Sequence, residues 1–144
     1  MISEGRKTME IQLPNIETQK SVVYEMATRE AIAQLQTNLL APKLPPQSEI
    51  AEWSYPSDHL LRENEGWSPP HADIVSSYFR HFQHHFPEYG TDKKLALLLG
   101  LSSDRRIRDF KAGSTNVPYG IWRKFLVITG RVPQEIIKVF AFMG

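Results

Sequence analysis

The sequence predicts an all-α protein, and three observations carry that expectation. The segment 17–40 contains neither glycine nor proline and is rich in Ala, Glu, Gln, Leu and Met, which are good helix formers. From Trp67 onward, glycine and proline fall at short intervals beside residues suited to start or stop a helix. Between those breaks the apolar residues recur three and four positions apart, the period of a helix with one buried face.

Taken in order, Met9–Leu13 alternates apolar and polar side chains before Pro14, which suits a brief half-buried strand. A long helix follows over Glu17–Leu40, with Val23, Ala27, Ala31, Leu35 and Leu39 every fourth residue. It either packs within its own chain or serves as a dimerisation element. Pro42, Pro45 and Pro46 stop it, because proline lacks the amide donor and clashes with the preceding turn. The stretch 41–66 is an irregular connector, anchored by Trp53, Tyr55, Leu60 and Leu61 and too apolar for solvated coil. Trp53, Tyr55 and Trp67 are expected to pack in the core or to mark an interface.

Ser68-Pro69-Pro70 opens the next helix, which carries Ile74, Tyr78, Phe79, Phe82 and Phe86 on one face. Thr91 is placed to cap Asp92–Leu99, and Gly100 to end it in the left-handed conformation. Ser102 or Ser103 caps a third helix over Asp104–Ala112, closed by Gly113. Pro118 starts a fourth that runs to about Thr129, and Pro133 a fifth that ends near Met143. Trp122, Phe125, Phe140 and Phe142 are expected core residues. The chain thus divides into a helical segment with connector over 1–66 and a five-helix bundle over 67–144.

A chain of 144 residues with 41% hydrophobic and 23% charged content has the composition of a soluble globular protein. No apolar run approaches the roughly 20 residues of a membrane span, and the N-terminus lacks the apolar core of a secretory signal. No membrane partner is therefore expected. The absence of cysteine excludes a disulfide framework and a thiolate zinc site, and it fits a cytoplasmic location. The formal net charge of +1 conceals an asymmetry: residues 1–66 hold 6 Lys/Arg against 10 Asp/Glu, and residues 67–144 hold 11 against 6. An acidic half joined to a basic half points toward a polyanion partner.

The basic half contains the segment that carries chemistry, Asp92–Gly113. Ala96 is small enough for a second helix to cross the first closely, Gly100 tolerates positive φ, and Leu101 can plug the turn. Ile107 and Phe110 supply an inner face for the second helix, leaving Arg105, Arg106, Arg108 and Lys111 for phosphates and base edges. In these features the segment resembles the Cro/cI-type (XRE-like) helix-turn-helix family of repressors. Ala96 and Gly100 have the family's spacing, and Ile107, Phe110 and Gly113 match its apolar, aromatic and glycine ending. Over 71–142 the five-helix layout is similar too. The Pro118–Trp122 segment resembles a pattern of helix-turn-helix proteins from phages, plasmids and integrative elements. Two features depart from the family. Seven residues separate Gly100 from Ile107 where six are usual, which lengthens the turn. Asp92 stands where the family often has a phosphate-binding Gln.

The resemblance implies a sequence-specific transcriptional regulator that binds double-stranded DNA as a homodimer on an inverted repeat. Residues 104–112 would enter the major groove. The expected contact set is Lys93, Lys94, Ser102, Ser103, Asp104, Arg105, Arg106, Arg108, Lys111, Ser114 and Asn116. Either the N-terminal helix or the fifth helix, with Phe140 and Met143, would join the two copies. The competing expectation is a helix-turn-helix scaffold used for protein binding, with the acidic half docking on a basic partner. His71, His81, His84 and His85 invite a metal, and His81 and His85 share a helix face, yet no further ligand completes a set. No cofactor, metal or catalytic residue is expected, since the chain lacks a phosphate loop, HExxH, GxSxG and a dinucleotide fingerprint.

Overall fold

The computed structural model describes residues 15–144; the strand expected over Met9–Leu13 lies outside the described residues. All regular structure among them is helical: α1 (Ile16–Asn38), α2 (Ala72–His85), α3 (Asp92–Leu98), α4 (Asp104–Ala112) and α5 (Tyr119–Ile128), with four short 3₁₀ turns. The chain separates into two compact units, 1–45 and 46–144. The connector 46–66 therefore belongs with the C-terminal bundle, so that unit begins at Pro46 and not at Trp67.

In the first unit, Asn15 caps α1 by accepting a hydrogen bond from the Thr18 amide at 2.8 Å. Internal support comes from the Glu25–Arg29 pair and from Thr28 bonding back to the Tyr24 carbonyl. No residue of α1 is buried, and Val23, Ile32, Leu35 and Leu39 are all exposed.

The second unit is built round Trp122, Phe79, Phe110 and Phe125, whose side chains are wholly buried. Phe79 meets Phe125 edge-on with ring centres 4.8 Å apart, and Tyr78 stacks on Trp122 at 5.7 Å. Ile74, Val75, Leu95, Ile107 and Leu126 fill the remaining space. A buried indole needs an acceptor for its N–H. His59 supplies it from the connector: Trp122 Nε1 donates to His59 Nδ1 at 3.2 Å, and Trp67 Nε1 donates to the His59 carbonyl, also at 3.2 Å.

Further polar links hold the connector down. Ser77 Oγ donates to Gln47 Oε1 at 2.7 Å, Arg80 pairs with Glu49, and the Tyr55 hydroxyl donates to Asp73. Trp53, in contrast, stays 88% exposed, whereas Tyr55 and Trp67 pack against the core. His71 caps α2 by accepting from the Asp73 amide, so the helix begins after Ser68-Pro69-Pro70 and not within it.

The expected fifth helix over 133–143 is absent. Residues 131–144 follow α5 as irregular chain, and Phe140 and Phe142 are exposed. Arg123 Nη2 donates to the Pro133 carbonyl at 3.2 Å, which ties the start of this segment to α5. Ile136, Ile137, Val139, Phe140 and Phe142 are also β-branched or aromatic residues that prefer extended backbone.

Burial pushes the His59 imidazole below its ordinary value of 6.5, and its acceptor role toward Trp122 requires the neutral ring. The unfolded chain therefore takes up the proton first, and stability is full above about pH 6.5 and falls as pH drops below it. His81, lowered by burial and by its histidine neighbours, acts in the same sense. Urea denaturation at pH 7.5 and 5.5 should show reduced stability at the lower pH, and His59→Asn should shrink that difference.

Candidate nucleic-acid interface

Helices α3 and α4 pack against each other across the turn 99–103. The turn forms as its residues dictate. Gly100 takes φ +77°, and the Leu101 amide donates to the Ala96 carbonyl at 2.8 Å. Leu101 is 5% exposed and closes the turn on the core. Ser103 is the residue that caps α4, its hydroxyl accepting from the Arg105 amide at 3.1 Å. At the other end Gly113 takes φ +78°, and a Cβ there would lie 3.1 Å from that of Ala72 in α2. The close approach of α4 to α2 thus depends on this glycine.

Ile107 and Phe110 are buried, which fixes the rotation of α4. At 100° per residue, Arg105, Arg108, Asp109 and Ala112 occupy the opposite, outward side. Arg105 is 80% exposed at its side chain and lies 4.0 Å from Asp109; Arg108 is 57% exposed and pairs with Asp104 at 2.9 Å. Both are i,i+4 ion pairs of small energy at this exposure. They aim the guanidinium groups and can exchange for phosphate or base contacts. Arg106 flanks this face, its guanidinium 5.3 Å from the centre of the Phe110 ring. Lys93 and Lys94 are exposed in the first turn of α3, where Thr91 accepts from the Lys94 amide. Ser102, Ser114 and Asn116 are exposed as well. Between residues 92 and 111 the chain carries six cationic and three acidic side chains.

Lys111 is placed differently from the sequence expectation. It sits toward the inner side of α4, 21% exposed, with Nζ 2.7 Å from Asp92 Oδ1 and 3.5 Å from Gln83 Oε1. Gln83 Nε2 also donates to Asp92. Burial pushes the Asp92 carboxyl up, but hydrogen bonds from Lys111 and Gln83 outweigh it and hold the group below the ordinary carboxylate range. Asp92 therefore faces no phosphate: it clasps α3 to α2 and α4. The aspartate at position 92 and the inward lysine are one feature, which single-helix periodicity does not reveal.

His81 and His85 have ring centres 4.7 Å apart, and no group of three or more potential metal ligands is assembled among the described residues. No described helix is long and apolar enough to cross a membrane. Three buried polar side chains, His59, Ser77 and Arg123, escaped the sequence reading. Arg123 is 8% exposed, donating to the Leu60 and Pro133 carbonyls with its Nε 3.3 Å from Glu135. A basic side chain at the border of the apolar face of α5 gave no hint of that role. Comparison with known protein families, curated proteins and solved structures finds no match to this chain.

The clasp and the outward face should separate in mutagenesis. Lys111→Ala leaves Asp92 partly buried without its cation and should cost about 1–2 kcal/mol in urea denaturation. Arg105→Ala, on an exposed face, should change stability by less than about 0.5 kcal/mol.

Proposed function

We propose that the protein is a sequence-specific binder of double-stranded DNA that regulates transcription, with α4 entering the major groove. The observation that carries this reading is the outward side of α4, where Arg105 and Arg108 stand beside Arg106 on a short capped helix backed by the core. Arginine suits bidentate contact with guanine O6 and N7, as well as with phosphate. In this reading Arg105 and Arg108 meet base edges. Lys93, Lys94 and Arg106 meet phosphate, with Ser102, Ser103, Ser114 and Asn116 adding hydrogen bonds. Asp104 and Asp109 orient the arginines, and Lys111 acts through the clasp and not through DNA. One short helix makes few contacts, so two copies on an inverted repeat supply the specificity. Such a regulator of the phage or mobile-element type works in the cytoplasm and uses neither a catalytic residue nor a cofactor.

A second reading, a scaffold that binds another protein, is favoured by one observation. All the apolar side chains of α1 are exposed, which gives the N-terminal unit a surface suited to a protein contact.

Mobility-shift titration against duplexes selected from random sequence separates the two. DNA binding with three cations of each copy on phosphate predicts the affinity of a single copy falling roughly 40-fold between 50 and 200 mM salt. Arg105→Ala or Arg108→Ala should each cost about 1–3 kcal/mol and relax preference at one base pair, whereas Lys93→Ala should weaken all duplexes alike. No binding at low salt would overturn the regulator and leave the scaffold.

A further inference from the structure

Two carboxylates stand among the arginines of α4. The clasp withdraws Lys111 and Asp92 as a pair, which leaves Lys93, Lys94, Arg105, Arg106 and Arg108 against Asp104 and Asp109. Each of these carboxylates holds one edge of a guanidinium and leaves another edge free. Arg108 donates through Nη1 to Asp104 Oδ2 at 2.9 Å, so its Nε and Nη2 hydrogens stay available as a two-pronged edge. Asp109 Oδ2 lies 4.0 Å from Arg105 Nε, and the Nη1 and Nη2 edge of that arginine has no partner among the described residues. Helix stability accounts for one pair and not for the other. Asp104 stands in the first turn of α4, four residues before its arginine, the favourable end and order for an acid. Asp109 stands in the last turn, four residues after its arginine, where a carboxylate meets the negative end of the helix. Packing does not require it either, since its side chain is 36% exposed.

We infer that Asp104 and Asp109 set the specificity of this face by favouring guanine edges over phosphate; the inference rests on the DNA reading above. The O6 and N7 acceptors of guanine take two parallel hydrogen bonds from one guanidinium edge, and the base carries no net charge. An arginine can make that contact with one edge while its carboxylate keeps the other, and the carboxylate then holds the fork in place. A phosphate is different. It brings its own negative charge up to Asp104 and Asp109, and like charges set side by side disfavour the contact. DNA of unrelated sequence is held through its phosphates. Two carboxylates at this place therefore penalise unrelated DNA and leave guanine recognition intact. Lys93, Lys94 and Arg106, paired with neither aspartate, supply the general attraction for the backbone. The same logic gives Asp109 the role that helix stability denies it.

Fluorescence anisotropy on the full chain tests this, with a duplex selected from random sequence and an unrelated duplex at the same salt. The variants are Asp104→Asn and Asp109→Asn, with Asp109→Glu to keep the charge and Glu30→Gln to remove one from the exposed helix α1. Each asparagine variant should bind the unrelated duplex about 3-fold tighter, the scale of one exposed charge interaction. Its salt dependence on that duplex should steepen, by up to ~0.9 in the log–log slope. The selected duplex should gain nothing, so the ratio of the two affinities falls by the same factor. Asp109→Glu should keep the wild-type ratio, Glu30→Gln should change neither affinity, and far-UV circular dichroism should be unaltered throughout. A merely structural role would move both affinities together and leave the ratio where it was. Asparagine variants with an unchanged ratio would therefore overturn the inference and leave the DNA reading standing. A wild-type chain that binds no duplex at low salt, or binds both alike, would overturn the inference together with that reading.

Discussion

The buried Trp122 indole has to find a partner for its N–H, and the way this chain supplies one governs the C-terminal unit. An apolar neighbour would leave a donor unsatisfied in a dry core, at a cost of about 1–3 kcal/mol. His59 reaches it from the connector and packs edge-on against Tyr78 and Trp122. A segment without regular secondary structure beyond 3₁₀ turns is thereby made part of the bundle. Gln47, Glu49, Tyr55 and Leu60 then add bonds to α2 and α5. With α2 and α5 held together by this core, α3 and α4 have a firm surface to lie on.

That support matters for what α4 presents. Nine residues form a helix too short to be stable alone in water. It persists because Ile107 and Phe110 are buried, Ser103 caps its start, and Gly113 lets its end approach α2. The Gln83–Asp92–Lys111 clasp adds a polar tie between three helices at the same place. Charge is sorted as a result. One lysine is spent on structure, while the arginines stay outside with carboxylates one turn away that aim them without burying them.

Much of this organisation was legible in the sequence. Helices α2 to α5 lie within a few residues of the positions set by Thr91, Gly100, Ser103, Gly113, Pro118 and Gly130, because those residues act through their own backbone or an adjacent cap. What depends on distant partners was not. His59 and Trp122 are 63 positions apart, and no local pattern links them. Lys111 reads as surface until Asp92 is placed across from it. The segment after Pro133 has a start signal and apolar residues, yet many of these are β-branched or aromatic, and its first carbonyl is tied to Arg123 in α5. For the same reason Phe140 and Phe142 were expected inside and lie outside. The outward arginines of α4 were legible because Ile107 and Phe110 fix the helix rotation by periodicity alone.

In the proposed function the outward side of α4 is the surface that meets DNA. Backbone amide shifts recorded while the protein is titrated with a selected duplex test it most directly. The largest changes are expected over Ser103–Ala112, centred on Arg105 and Arg108, with smaller ones at Lys93 and Lys94 and none near Trp53. Changes confined to another surface, or no change with any duplex at low salt, would contradict it.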